Sequence, residues 1–184
     1  MAGGRIDTER AFTPLNLAVM TISDSRDPSS DSSGDLLAER IATAGHALKA
    51  RSVIGFDKAA IQAQARAWIE DPGIDIIVSN GGTGLKPREV APEAFRELFE
   101  RELEGFVVLW HLVSYETVGV STMQSRACAG IAGNTVIYVL PGSNGACRDG
   151  WDKLISPQID SRYRPCSILE ALPRFQKHRG VDGR

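Results

Sequence analysis

Residues 74–84 read Ile74-Asp75-Ile76-Ile77-Val78-Ser79-Asn80-Gly81-Gly82-Thr83-Gly84, an apolar run that passes straight into a glycine turn. Ile74 to Val78 is mostly β-branched and too short for a helix. It predicts a strand buried on both faces, the kind found in a parallel sheet. The preceding residues agree. Asp57 stands ahead of Lys58 to Glu70, where Ile61, Ala65, Trp68 and Ile69 share one helical face. Asp71-Pro72-Gly73 then turns the chain into the strand.

The same unit recurs on either side. Leu15 to Ser23 (LNLAVMTIS), Ala47 to Ile54 and Asn134 to Leu140 (NTVIYVL) read as further strands. Helical spacing covers Asp35 to Ala44, with Gly45 just past its end. Another helix begins near Pro92 and carries Phe95, Leu98 and Phe99; Phe106 to Val118, Thr122 to Ala132 and Ala146 to Ile159 complete the set. Strands alternating with helices predict one α/β domain, a parallel sheet covered on both faces. It spans residues 14–172, between a loose tail at 1–13 and a polar, basic one at 173–184 holding Arg174, Lys177, His178 and Arg179.

Composition narrows the function. Among 184 residues, Lys+Arg 21 against Asp+Glu 23 leaves a net charge of −2, without the basic excess of a dedicated nucleic-acid binder. The longest apolar run, Phe106 to Val113, is broken by His111 and falls short of the ~20 residues of a membrane span. Cys128, Cys147 and Cys166 form no C-x-x-C pair and read as reduced thiols of a cytoplasmic protein. His46, His111 and His178 show no ligand spacing. Phe95–Phe99 and Phe106–Val113 hold more large apolar side chains than one small sheet covers, which points to a homo-oligomer.

In open parallel sheets, ligands bind beyond the carboxyl ends of the strands. Four strand ends here carry distinctive loops: Asp24 to Gly34, Gly55 to Asp57, Gly81 to Gly84, and Pro141 to Gly145. The glycine turn either lets backbone N–H groups approach an anion or is a tight turn and nothing more. Asp57 is either a helix N-cap or a carboxylate at a strand edge, free to hold a cation. Glu89 is either a solvated loop charge or a second such carboxylate, and Asp24 and Asp31 can be turn formers. No P-loop and no dinucleotide fingerprint is present.

Taken together, T-I-S-D-S, D-S-S-G-D-L-L, S-N-G-G-T-G-L, A-P-E-A, S-T-M-Q-S-R-A-C-A-G-I-A and L-P-G-S-N-G-A-C-R resemble the MoaB/MogA family of molybdenum-cofactor biosynthesis proteins, from about Asn16 to Pro165. The resemblance implies a three-layer α/β/α domain with a mostly parallel sheet, assembled as a trimer or hexamer. It implies a protein that binds molybdopterin and adenylylates it with ATP and Mg²⁺, releasing pyrophosphate; a non-catalytic accessory role in the same pathway is the alternative. Carried over by position, Asp57 and Glu89 match the family's metal-holding carboxylates. Ser23, Asp24, Asp31, Gly81, Gly82, Thr83, Gly84, Ser125, Pro141, Gly142 and Ser143 match its binding loops. Three positions depart from the family pattern: Glu89 replaces an Asp, Asn80 a Thr, and Asn144 a frequent Pro.

Overall fold

The structure, a computed structural model, describes residues 4–172; the expected C-terminal tail lies outside them. In chain order the elements are β1 (Arg5–Ile6), β2 (Asn16–Ile22), α1 (Ser32–Thr43), β3 (Ala47–Ile54), α2 (Lys58–Glu70), β4 (Ile76–Asn80), α3 (Ala91–Arg96), β5 (Arg101–Glu102) and α4 (Glu104–Val118). A 3₁₀ turn (Gly119–Gln124), β6 (Cys128–Ala132), β7 (Thr135–Leu140) and α5 (Asn144–Gly150) follow. After them come a π turn (Trp151–Ile155), α6 (Ser156–Ile159), β8 (Tyr163–Arg164) and a final 3₁₀ turn (Ile168–Ala171).

Six strands form the main sheet in the order β3-β2-β4-β7-β6-β5. The first four run parallel, whereas β6 pairs antiparallel with β7 and β5 with β6. Each central strand is apolar on both faces because each face is covered. Leu17, Val19, Ile76, Val78, Val136 and Tyr138 pack with residues of α1, α4 and α5. Ala18, Met20, Ile77, Ile137 and Val139 pack with α2 and α3 through Ile61, Trp68 and Phe95. The domain is therefore α/β with three layers and a mostly parallel sheet.

Three expectations need correction. Thr122 to Ala132 is not a helix: the 3₁₀ turn ends at Gln124, and Cys128–Ala132 is a strand inside the sheet. Alanine and glycine fit either period, and burial on both faces removes the alternation that marks a strand. Gly130 has a packing reason to be there, since a Cβ at that position would run into the Phe99 ring. Gly133-Asn134 between β6 and β7 is a two-residue hairpin turn, with Gly133 at φ 57°. Second, α1 starts at Ser32 rather than Asp35, because Asp31 accepts the Gly34 N–H and caps it. Third, Arg5 and Ile6, within the stretch read as a tail, pair with Arg164 and Tyr163.

Candidate functional site

Because β2, β3, β4 and β7 run the same way, their carboxyl ends meet at one edge, and a cleft of about 400 Å³ opens there. That volume suits a small cofactor-sized ligand. Ser23, Ser25 and Arg26 form one wall and Phe56 closes the end of β3. Gly81, Gly82, Thr83, Gly84 and Glu89 supply the loop after β4, Pro141 and Gly142 the loop after β7, and Gln124 and Ser125 arrive from the 3₁₀ turn.

The glycine turn is dictated by backbone geometry. Gly81 and Gly82 sit at φ 91° and 65°, where a side chain strains the chain. A Cβ on Gly81 would collide with the Ile22 carbonyl, and one on Gly142 would come 3.0 Å from the Gly81 Cα. Two backbones thus approach one another beneath the cleft. The Gly81 N–H is spent on the Leu140 carbonyl at 2.9 Å, and the Gly82 carbonyl accepts from the Ala91 N–H. Among the described residues, the N–H groups of Gly82, Thr83 and Gly84 have no protein acceptor.

The two carboxylates occupy different positions. Glu89 lines the cleft, its Oε2 accepting the Lys86 N–H at 3.1 Å and its carboxylate folded over Gly84. Arg126 fixes that loop by donating to the Gly84 carbonyl at 3.0 Å and to the Glu89 carbonyl, while pairing with Glu93. Asp57 is exposed and caps α2, accepting the Ala60 N–H at 3.0 Å. It follows Phe56 at the cleft's end but is not part of its wall. Among the described residues, no group of three or more His, Cys, Asp or Glu is arranged to hold a metal ion.

The other positions divide similarly. Ser23 and Ser125 line the cleft, and Ser125 Oγ accepts from Trp110 Nε1 at 2.8 Å. Asp24 lies outside it, tying loops together: it accepts the Phe56 N–H at 2.8 Å and pairs with Arg88 at 2.8 Å. Ser143 caps α5 through the Ala146 N–H. Asp31 is fully buried and accepts from Gly34 N, Thr21 Oγ1 and Arg51 Nη2. Burial alone would raise its pKa, but hydrogen bonds from Arg51, Thr21 and Gly34 outweigh it and hold the carboxyl below its ordinary value.

Asn80 belongs to the same network. Its Nδ2 donates to Thr21 Oγ1 at 2.9 Å and its Oδ1 accepts from Ser33 Oγ at 2.7 Å, so its buried amide is partnered at both ends. The residue the sequence reading passed over is Arg26, the cation in the cleft wall. Within an Asp/Ser-rich loop it looked solvated, and only its position as the single basic residue between Asp24 and Gly34 hinted otherwise. Neither buried cysteine offers a thiolate to the cleft. Burial pushes the Cys128 and Cys147 thiols up to about 12, leaving both protonated at neutral pH.

Comparison with known proteins agrees with the architecture. Residues 18–161 match the family model described as "Probable molybdopterin binding domain". Molybdenum cofactor biosynthesis protein B of Escherichia coli K12 is 41% identical over 170 residues, covering 92% of this chain and 99% of that protein. A crystal structure of a molybdenum cofactor biosynthesis protein B superposes with a TM-score of 0.79 at 37% identity, covering 82% of this chain and 94% of that one. The tungsten cofactor synthesizing protein MoaB of Pyrococcus furiosus gives 0.68 at 30%, over 76% and 89%. With a family model spanning most of the chain, and a relative this similar from end to end, the chain belongs to the MoaB/MogA family of molybdenum cofactor biosynthesis proteins.

Proposed function

We propose that this protein serves molybdenum cofactor biosynthesis by binding molybdopterin in the cleft and adenylylating it with ATP. The observation carrying this reading is the run of three N–H groups at Gly82, Thr83 and Gly84, residues of the cleft wall, that have no protein acceptor among the described residues. Such a row of donors suits phosphate oxygens. Adenylyl transfer asks the protein for positioning and charge neutralisation rather than for a nucleophile, because a phosphate on the substrate attacks. That suits a cleft without a reactive thiol or a Ser–His pair.

Mg²⁺ is ordinarily held by one or two carboxylates together with substrate phosphates. Glu89 in the wall and Asp57 at the cleft's end are the oxygen donors available for it. Bound there with the nucleotide, the ion would neutralise developing phosphate charge. The glycine turn would orient the phosphates, and Phe56 and Pro141 offer apolar surface to a flat heterocycle.

An accessory, non-catalytic binding role rests on a specific observation: both carboxylates already have structural partners, Asp57 at the α2 cap and Glu89 at the Lys86 N–H. Pyrophosphate release from molybdopterin, ATP and Mg²⁺ separates the two. Wild type should release it, while Asp57→Asn, which keeps the capping oxygen, and Glu89→Asp should alter the rate far more than substrate affinity. No release from any of the three supports the accessory role.

The protein also assembles with copies of itself in this reading. Phe95, Leu98, Phe106 and Trp110 are consumed by the core. Val108, Leu109, Leu112, Tyr115 and Val118 on α4, with Val120 and Met123 beyond it, stay half to four-fifths exposed. Seven such side chains expose an apolar patch on the order of the ~800 Å² that each partner of a stable complex buries.

A further inference from the structure

We infer that Arg26 is a preorganised anchor for a phosphate group, a binding role resting on the reading of the cleft as a phosphate site. Among the lining residues Arg26 is the cation and Glu89 the carboxylate; the remainder are neutral. A ligand bearing phosphate therefore meets one fixed positive charge in the cleft.

The charge is held in place by an oriented chain of hydrogen bonds. Thr21 Oγ1 donates to Asp31 at 2.8 Å, Asn80 Nδ2 donates to Thr21 at 2.9 Å, and Ser33 Oγ donates to Asn80 Oδ1 at 2.7 Å. Ser33 Oγ in turn accepts from Arg26 Nη1, and the Gly142 carbonyl accepts from Arg26 Nη2 at 3.3 Å. Ser33 Oγ has its nearer acceptor in Asn80 and a longer one in Asp31 Oδ1 at 3.4 Å, and rotating the guanidinium would take its donors away from both Ser33 Oγ and the Gly142 carbonyl. A guanidinium carries five N–H donors, and two are used here. The remainder form a planar fork suited to a phosphate.

Its charge is also available. Asp31 lies 3.7 Å from Arg26 Nη1, beyond hydrogen-bond distance, whereas Arg51, which also pairs with the exposed Asp35, binds that buried carboxylate at 2.7 Å. The Arg26 side chain remains about a quarter exposed, on the cleft side. With the unpaired N–H groups of Gly82 to Gly84 in the same cleft, the arrangement combines charge and backbone donors as phosphate sites do.

The test is calorimetry with inorganic pyrophosphate, without metal, on wild type, Arg26→Gln and Arg26→Lys. Wild type should bind, Arg26→Gln should lose at least tenfold in affinity, and Arg26→Lys should recover part of that loss. Binding by Arg26→Gln should also depend less steeply on salt, since one charge contact is gone. If Arg26→Gln does not fold, Arg26→Lys against wild type carries the comparison, with a several-fold loss expected from the missing fork. Wild-type affinity in both variants overturns the inference. So does an equal loss in Gln and Lys with an unchanged salt slope, the mark of a purely structural strut, and so does a wild type that binds no pyrophosphate. Adenylyl transfer, measured separately, tells the readings apart: a wild type that transfers while Arg26→Gln binds pyrophosphate normally refutes the anchor and leaves the proposed function standing.

Discussion

Replacing Asp31 by Asn isolates the charge at the root of the cleft. The substitution keeps volume and keeps Oδ1, which accepts the Gly34 N–H at 3.0 Å and caps α1. It puts an amide NH₂ where Oδ2 accepts from Thr21 Oγ1 at 2.8 Å and Arg51 Nη2 at 2.7 Å. One charge-assisted bond becomes a donor facing a donor, and the other must reverse against the direction imposed by Asn80. Hydrogen bonds to charged groups contribute about 1.5–3 kcal/mol each. Breaking a fully buried ion pair costs about 3–5 kcal/mol. Arg51 is a quarter exposed and keeps Asp35 at 2.6 Å, so the lower end applies, about 3 kcal/mol. For a domain of this size that is a fall in Tm of roughly 6–12 °C.

Thermal melts at one fixed protein concentration measure it, since assembly would otherwise shift the midpoint. The pH dependence supplies the second half of the test. The folded carboxyl titrates below its ordinary value, so its stabilisation is complete above the unfolded pKa of about 3.9 and is lost as pH falls through the lower folded value. The gap between wild type and Asp31→Asn should thus be constant from about pH 7 to 5 and narrow towards about pH 3. A loss under about 0.5 kcal/mol, or a gap that does not narrow in acid, would refute the network as the source of stability at this edge.

His46 acts in a different window: burial lowers its pKa, with Asp160 opposing, and its Nδ1 accepts the Leu15 N–H at 3.2 Å. Its neutral form is favoured in the fold, so wild-type stability should fall as pH drops below the unfolded value of about 6.5, and His46→Gln should flatten urea midpoints between about pH 7 and 5. A wild-type midpoint that rises on acidification contradicts this. On α4, Leu112→Glu with Tyr115→Glu should give monomers by light scattering with an unchanged melting profile of the monomer, because both side chains point outward. Wild type that is already monomeric at micromolar concentration excludes assembly through this face.

The strands of the parallel sheet and the loops at their ends were legible in the sequence, because a strand buried on both faces must be apolar throughout and its exit must be polar or glycine-rich. Asp57 before α2 and the Gly81–Gly84 turn followed from the same local rules, capping and positive φ. The hairpin of β6 and β7 was not read, since Cys128 to Ala132 is made of residues that serve a helix equally well; pairing with β7 and contact with Phe99 decide it.

The site divides along the same line. Sequence by itself determined which residue types could line the edge at the strand ends, because backbone freedom and charge are local properties. Tertiary structure decided which of them face the cleft. The backbone of the loop carrying Glu89 is held by Arg126, 37 residues away, and its carboxylate faces the cleft, while Asp24, Asp31 and Ser143 are committed to holding loops and helix ends. Arg26, one basic residue in a polar loop, became part of the cleft wall because Ser33 and Gly142 accept from it, and Asn80 and Thr21 hold Ser33 in turn, so that four separate segments combine. No local pattern encodes that convergence; it exists only once parallel strands have brought those segments to one edge.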